Sequence, residues 1–157
     1  MKYKIVLLIV SFFNVSLVCS YEGSEIMEIK PIKRSIYRES GIFHNGIKEN
    51  FNTLEGLRHS GKKINSYERI VFDFSTGEIP QIYAHINESS GKLQIDFLRT
   101  KLSKDLKPVF KSHRVKEINF FPLADSILSA ELLLKKNTYI EIFYLTKPAR
   151  LVVDFKN

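Results

Sequence analysis

The chain has 157 residues, and its 24 Lys plus Arg against 17 Asp plus Glu give it a formal charge of +7. A single cysteine rules out an intramolecular disulfide framework. Four scattered histidines lack metal-ligand spacing, and seven glycines form neither a phosphate-cradling loop nor a Gly-x-Ser-x-Gly elbow, so the composition argues against an enzyme, a metal centre and a bound cofactor.

Lys2 and Lys4 precede a mostly apolar run over residues 5–18, and Val18-Cys19-Ser20 follows as a cleavage site. This layout predicts a secretory signal peptide over residues 1–20. Ser11 and Asn14 interrupt the run, which falls short of the ~18 or more apolar residues of a membrane span. An uncleaved anchor is the rival reading. Lipidation at Cys19 is a lesser one, because Val18 is a poor residue to precede a modified cysteine. Cleavage after Ser20 leaves 137 of the 157 residues, no cysteine, and a charge of +5 (22 Lys plus Arg against 17 Asp plus Glu). That length suits one domain with its own core. Outside the cytoplasm a basic domain meets wall polymers, anionic lipid head groups or acidic proteins, and the export signal argues against nucleic acid.

Residues 21–50 hold Pro31, Gly41 and Gly46 among isolated isoleucines. Ile26, Ile29 and Ile32 have helical spacing, but Pro31 breaks a long helix there. A loosely docked, poorly structured arm or linker is expected.

From residue 51 strands follow one another. They are predicted over 53–58, 67–74, 81–86 and 92–97, with the loop Asn87-Glu88-Ser89-Ser90-Gly91 making a hairpin of the last two. Residues 99–111 break the alternation and contain Pro108, which predicts a loop or a single helical turn. Further strands are predicted over 114–120, 127–134, 139–145 and 150–155, the last three as a meander. About eight short strands at even spacing define an all-β fold, a β-sandwich or a barrel.

Two of these strands are alike. Arg69-Ile70-Val71-Phe72-Asp73-Phe74 returns as Arg150-Leu151-Val152-Val153-Asp154-Phe155. Strand alternation puts Ile70, Phe72 and Phe74, and equally Leu151, Val153 and Phe155, on one face, and the Arg and Asp residues on the other. Arg69 and Asp73 stand ~13 Å apart along one strand, so they cannot pair with each other. Antiparallel neighbours would instead set Arg69 near Asp154 and Arg150 near Asp73. Such pairs contribute only about 0.2–1 kcal/mol. A surface strip for an acidic ligand is the functional alternative.

Two other features are candidates for binding. Arg99, Lys101, Lys104, Lys107, Lys111, Arg114 and Lys116 form the densest basic stretch, either an anion contact or a solvated loop. Tyr83 should share an outer face with His85, and Tyr139 a face with Glu141 and Phe143, whereas Tyr144 falls on the core side. Rings with a polar edge suit glycan and peptide surfaces, but tyrosine is also ordinary strand filler. The candidate ligand-binding residues are therefore Arg69, Tyr83, Tyr139, Arg150, Lys111 and Arg114. An enzyme would require His85 or His113 to converge with carboxylates.

Leu57-Arg58-His59 followed by the strand Tyr67 to Phe74 resembles the opening of AMIN-like domains. Ile79-Pro80-Gln81-Ile82-Tyr83 looks like the proline-led strand that comes next. Pro148-Ala149-Arg150-Leu151-Val152-Val153-Asp154-Phe155 is similar to the closing signature of AMIN and AMIN-like domains. The resemblance covers residues 51–157. It implies a β-sandwich of two facing sheets exported to the periplasm or surface of a bacterium. It also implies binding of peptidoglycan or another anionic wall polymer, or else adaptor work on an envelope protein complex. AMIN domains accompany amidases and pilus secretins; without a catalytic domain after residue 157 the chain is expected to act through a partner or by binding alone, and the lack of a family-wide catalytic motif means that no site residue is carried over.

Overall fold

The computed structural model describes residues 25–61, 67–87, 89–106, 111–123 and 126–157. The expected signal peptide, with Cys19, lies outside them, as do Lys107 and Pro108 of the basic stretch. Among the described residues eleven strands run in chain order: β1 Ile26–Glu28, β2 Gly41–His44, β3 Asn52–Ser60, β4 Glu68–Phe74, β5 Ile82–Asn87, β6 Lys92–Leu98, β7 Thr100–Leu102, β8 Val115–Leu123, β9 Ile127–Leu134, β10 Tyr139–Leu145 and β11 Arg150–Lys156. They form a six-stranded sheet, β1-β2-β5-β6-β9-β8, and a five-stranded sheet, β10-β11-β4-β3-β7. The architecture is all-β and consistent with a β-sandwich, as expected.

Alternating side chains explain the packing. Ile82, Ala84 and Ile86 of β5, with Leu93, Ile95 and Phe97 of β6, are buried. From the other sheet come Ile70, Phe72 and Phe74 of β4, and Leu151, Val153 and Phe155 of β11. Phe97 meets Phe72 and Phe74 with ring centroids 5.4 Å apart in each pair, which joins the two layers. Each fully buried side chain of this size contributes roughly 1.5–3 kcal/mol. The β5–β6 hairpin forms as predicted, and Gly91 supplies its left-handed residue at φ 61°.

Three expectations are corrected. Residues 25–50 are not a poorly structured arm. β1 and β2 extend the six-stranded sheet by parallel and antiparallel pairing, and Ile29 and Phe43 are buried in the core. The chain then crosses to the other sheet, where Tyr144 N donates to Lys30 O (3.0 Å), and Arg38 and Ile140 exchange backbone bonds of 2.8 and 2.7 Å. Residues 29–38 thus strap the edge of β10 to the edge formed by β1 and β2. Next, residues 127–155 are not one meander. β9 is already flanked by β6 and β8, so β10 has no free edge to pair with there and joins the opposite sheet. Lastly, the stretch 99–111 contains a short strand, β7, parallel to β3.

Candidate functional site

The two hexapeptide strands lie side by side and antiparallel, with Arg69 opposite Asp154 and Arg150 opposite Asp73. Their outward residues alternate across the sheet with those of β3 and β10. Val71 and Val152 are partners, Arg58 sits beside Val71, and Phe143 beside Val152. A groove of about 380 Å³ runs over this surface, with Val71, Val152 and Leu145 as its apolar floor and Arg58, Arg69 and Arg150 around it.

The three arginines differ in what holds them. Arg69 grips Asp154 with two hydrogen bonds, Nε at 2.7 Å and Nη2 at 2.9 Å. Lys33 of the strap reaches the same carboxylate. Asp154 is 0% exposed although it points away from the core, because the strap covers it. Lys33 also lies 4.0 Å from the centroid of the Tyr67 ring, and Arg69 5.3 Å from it. The Asp154 hydrogen bond raises the Arg69 pKa. Burial would lower that of Lys33, but hydrogen bonds to Asp154 and Tyr37 raise it on balance. Arg58 binds Asp73 in the same forked manner, at 2.7 and 2.5 Å, near solvent. Gly56 stands opposite Asp73, and a Cβ there would come within 3.0 Å of Asp73 Oδ2. Arg150 lies next to Asp73 in register but does not pair with it. Its Nε makes one long bond of 3.4 Å to Pro148 O. Among the described residues it has no ion pair.

The other candidates lie elsewhere. Tyr83 is 44% exposed on the outer face of the six-stranded sheet, with His44 and Asp96 as cross-strand neighbours and Gln81 Nε2 donating to its hydroxyl at 3.0 Å. Tyr139 is half-buried at the start of β10 opposite Lys156. Lys111 is exposed and Arg114 half-buried in the segment leading into β8. Glu68 holds that segment, accepting from the Ser112 hydroxyl (2.6 Å) and from the amides of His113 (2.7 Å) and Arg114 (3.1 Å). Burial alone would raise the Glu68 pKa, but these hydrogen bonds and nearby His59 leave it below its ordinary value. Lys111, Lys116 and Lys135 surround an open hollow of about 740 Å³ beside this segment.

The structure therefore brings Arg69 and Arg150 into one groove and puts Tyr83 on the opposite layer. The basic stretch is divided between the β7 edge, with Arg99 and Lys101, and the start of β8. Sequence reasoning missed Arg58 and Lys33, the partners of the two aspartates, and Glu68. Only the position of Arg58 in an alternating strand could have flagged one of them.

The Ser112 hydroxyl donates directly to Glu68, and His59 Nε2 lies 3.9 Å from that carboxylate, so the imidazole does not stand between hydroxyl and carboxylate as nucleophile activation requires. His85 is exposed on β5 opposite Ile42 and Gln94. Among the described residues there is no group of three or more metal-ligating side chains.

Fold and groove together define an all-β domain with an arginine-rimmed, apolar-floored outer face. No protein-family model matches the chain, and comparisons with curated proteins and with solved structures return no match.

Proposed function

We propose that this chain is an exported, non-enzymatic binding module of the bacterial cell envelope, related to AMIN-like domains, that recognises peptidoglycan or another anionic wall polymer. The groove on the hexapeptide strands supports this reading. Arg150 carries it, as the groove's arginine without a carboxylate partner among the described residues. A carboxylate of a wall peptide placed over Val71 and Val152 would meet the Arg150 guanidinium, with Arg58 beside it, in the forked geometry arginine favours. The net charge supports retention near such polymers.

Co-sedimentation with purified sacculi tests the reading. The chain is expected in the pellet at low and moderate salt, and Arg150→Ala should release most of it while leaving the thermal midpoint unchanged. Recovery of the unaltered chain in the supernatant at both salt levels overturns the proposal.

A second reading, an adaptor on an envelope complex, is favoured by β8. This nine-residue strand closes one side of its sheet, with Phe121 (47%) and Leu123 (51%) exposed. Such an edge can accept a strand from a partner. In-cell crosslinking from position 121 should then capture one dominant protein, and a diffuse ladder would count against the adaptor.

A further inference from the structure

We propose that the cleft between the strap and β10 binds a small zwitterion carrying a free ammonium and a free carboxylate, the chemistry of an amino acid or a dipeptide. This goes beyond wall binding through the arginine groove and rests on different residues.

The cleft encloses about 220 Å³. One water in the liquid occupies ~30 Å³, so there is room for a ligand of several heavy atoms, below the ~300 Å³ at which drug-sized sites begin. Met27, Phe43 and Ile142 supply apolar wall, and the polar lining includes Glu141 and Arg34.

Glu141 is only 4% exposed, and its two oxygens are treated unequally. Oε1 accepts from the backbone amides of Arg34 (2.6 Å) and Ser35 (2.5 Å), which fixes the carboxylate to the strap. Oε2 is buried and has no hydrogen-bond partner among the described residues. A buried carboxylate oxygen left in that state is costly, and a charged donor relieves the cost better than a neutral one. Glu141 is itself one of the residues that line the cleft. Asp154, the cross-strand neighbour of Glu141, is the carboxylate that Lys33 and Arg69 pair with.

The second half of the site is cationic. Lys30 is paired with Glu28, and Arg38 with Glu25 at 3.4 Å. The Arg34 guanidinium has no hydrogen bond or ion pair among the described residues, although its backbone amide is bound to Glu141. A ligand with its ammonium on Glu141 Oε2 and its carboxylate on Arg34 completes both groups. An amine or an acid alone completes one.

Titration of the isotope-labelled chain with Ala-Ala, N-acetyl-Ala-Ala and Ala-Ala amide tests this, with the Arg34 and Ser35 amides as reporters by nuclear magnetic resonance. Ala-Ala should saturate, and each blocked dipeptide should bind at least about tenfold more weakly, the loss of one charged contact. Glu141→Gln keeps an oxygen for the two amides but turns a donor toward the ammonium, so it should abolish the preference for the free amine. Arg34→Ala keeps the backbone amide and should abolish the preference for the free carboxylate, which provides a second variant should the first not fold. Absence of saturation by Ala-Ala, or equal binding of all three dipeptides, overturns the proposal. Arg150→Ala should leave the titration unchanged, so failure here is distinguishable from failure of wall binding.

Discussion

Asp73 and Asp154 hold the same place in the two hexapeptides but not the same energy. Asp73 shares a solvent-facing pair with Arg58, of a type that contributes about 0–1 kcal/mol. Asp154 is fully buried between Arg69 and Lys33, and removing one partner of such a cluster costs roughly 3–5 kcal/mol because it leaves buried charge uncompensated. Asp154→Ala should therefore lower the unfolding free energy by that larger amount in urea titration, and Asp73→Ala by less than ~1 kcal/mol. Glu68 gives a prediction in pH. Its folded pKa lies below the ordinary 4.5, so the unfolded chain binds the proton more readily as the pH falls. Its stabilisation is complete above 4.5 and is lost as the pH drops through the lower folded value. Glu68→Gln should flatten that acid limb in denaturation measured between pH 6 and pH 3, a window of about this width about the usual carboxylate range.

At the scale of the element, the long alternating strands were legible and the short ones were not. Strands β4 and β11 state their inward and outward faces residue by residue, and their antiparallel register follows once they are taken as neighbours. Strands β1 and β2 have three and four residues, too few to show a period, and tertiary pairing rather than propensity holds them. Pro31 and the scattered isoleucines therefore read as an arm, although Ile29 is a core residue. Replacing Ile29 with Ala should cost about 2–5 kcal/mol, the range for a buried aliphatic side chain, and should make the strap an early cut in limited proteolysis. A loss below ~0.5 kcal/mol, with no new cleavage near residues 30–38, would mean that the strap is only resting on the sandwich. The site was half legible for the same reason. Alternation showed Arg69 and Arg150 on one face, but nothing local indicates that Lys33 will claim Asp154 from 121 residues away.

For the whole molecule, the sandwich is tied together by distant parts of the chain. The strap near the N-terminal side pairs with β10, β4 near the middle pairs with β11, and Lys33, Arg69 and Asp154 join all three regions. That pattern of non-local pairing predicts folding in milliseconds to seconds rather than microseconds, measurable by stopped-flow refolding. The layer crossing from β9 to β10 belongs to this scale too. The turn between them is as short as a hairpin's, and only the occupation of both β9 edges decides that the chain changes layers.

A chain that leaves a ribosome or a translocation channel head first presents residues 25–44 long before β10 and β11 exist. Until those last strands emerge, Lys33 has no counter-charge and Ile29 no completed core to enter. Nascent forms should accordingly stay protease-sensitive at every length up to residue 138 and gain resistance in one step once residues 139–156 are free, a threshold that arrest at graded lengths would expose. Whatever shields the unfolded chain must hold it until β11 is free.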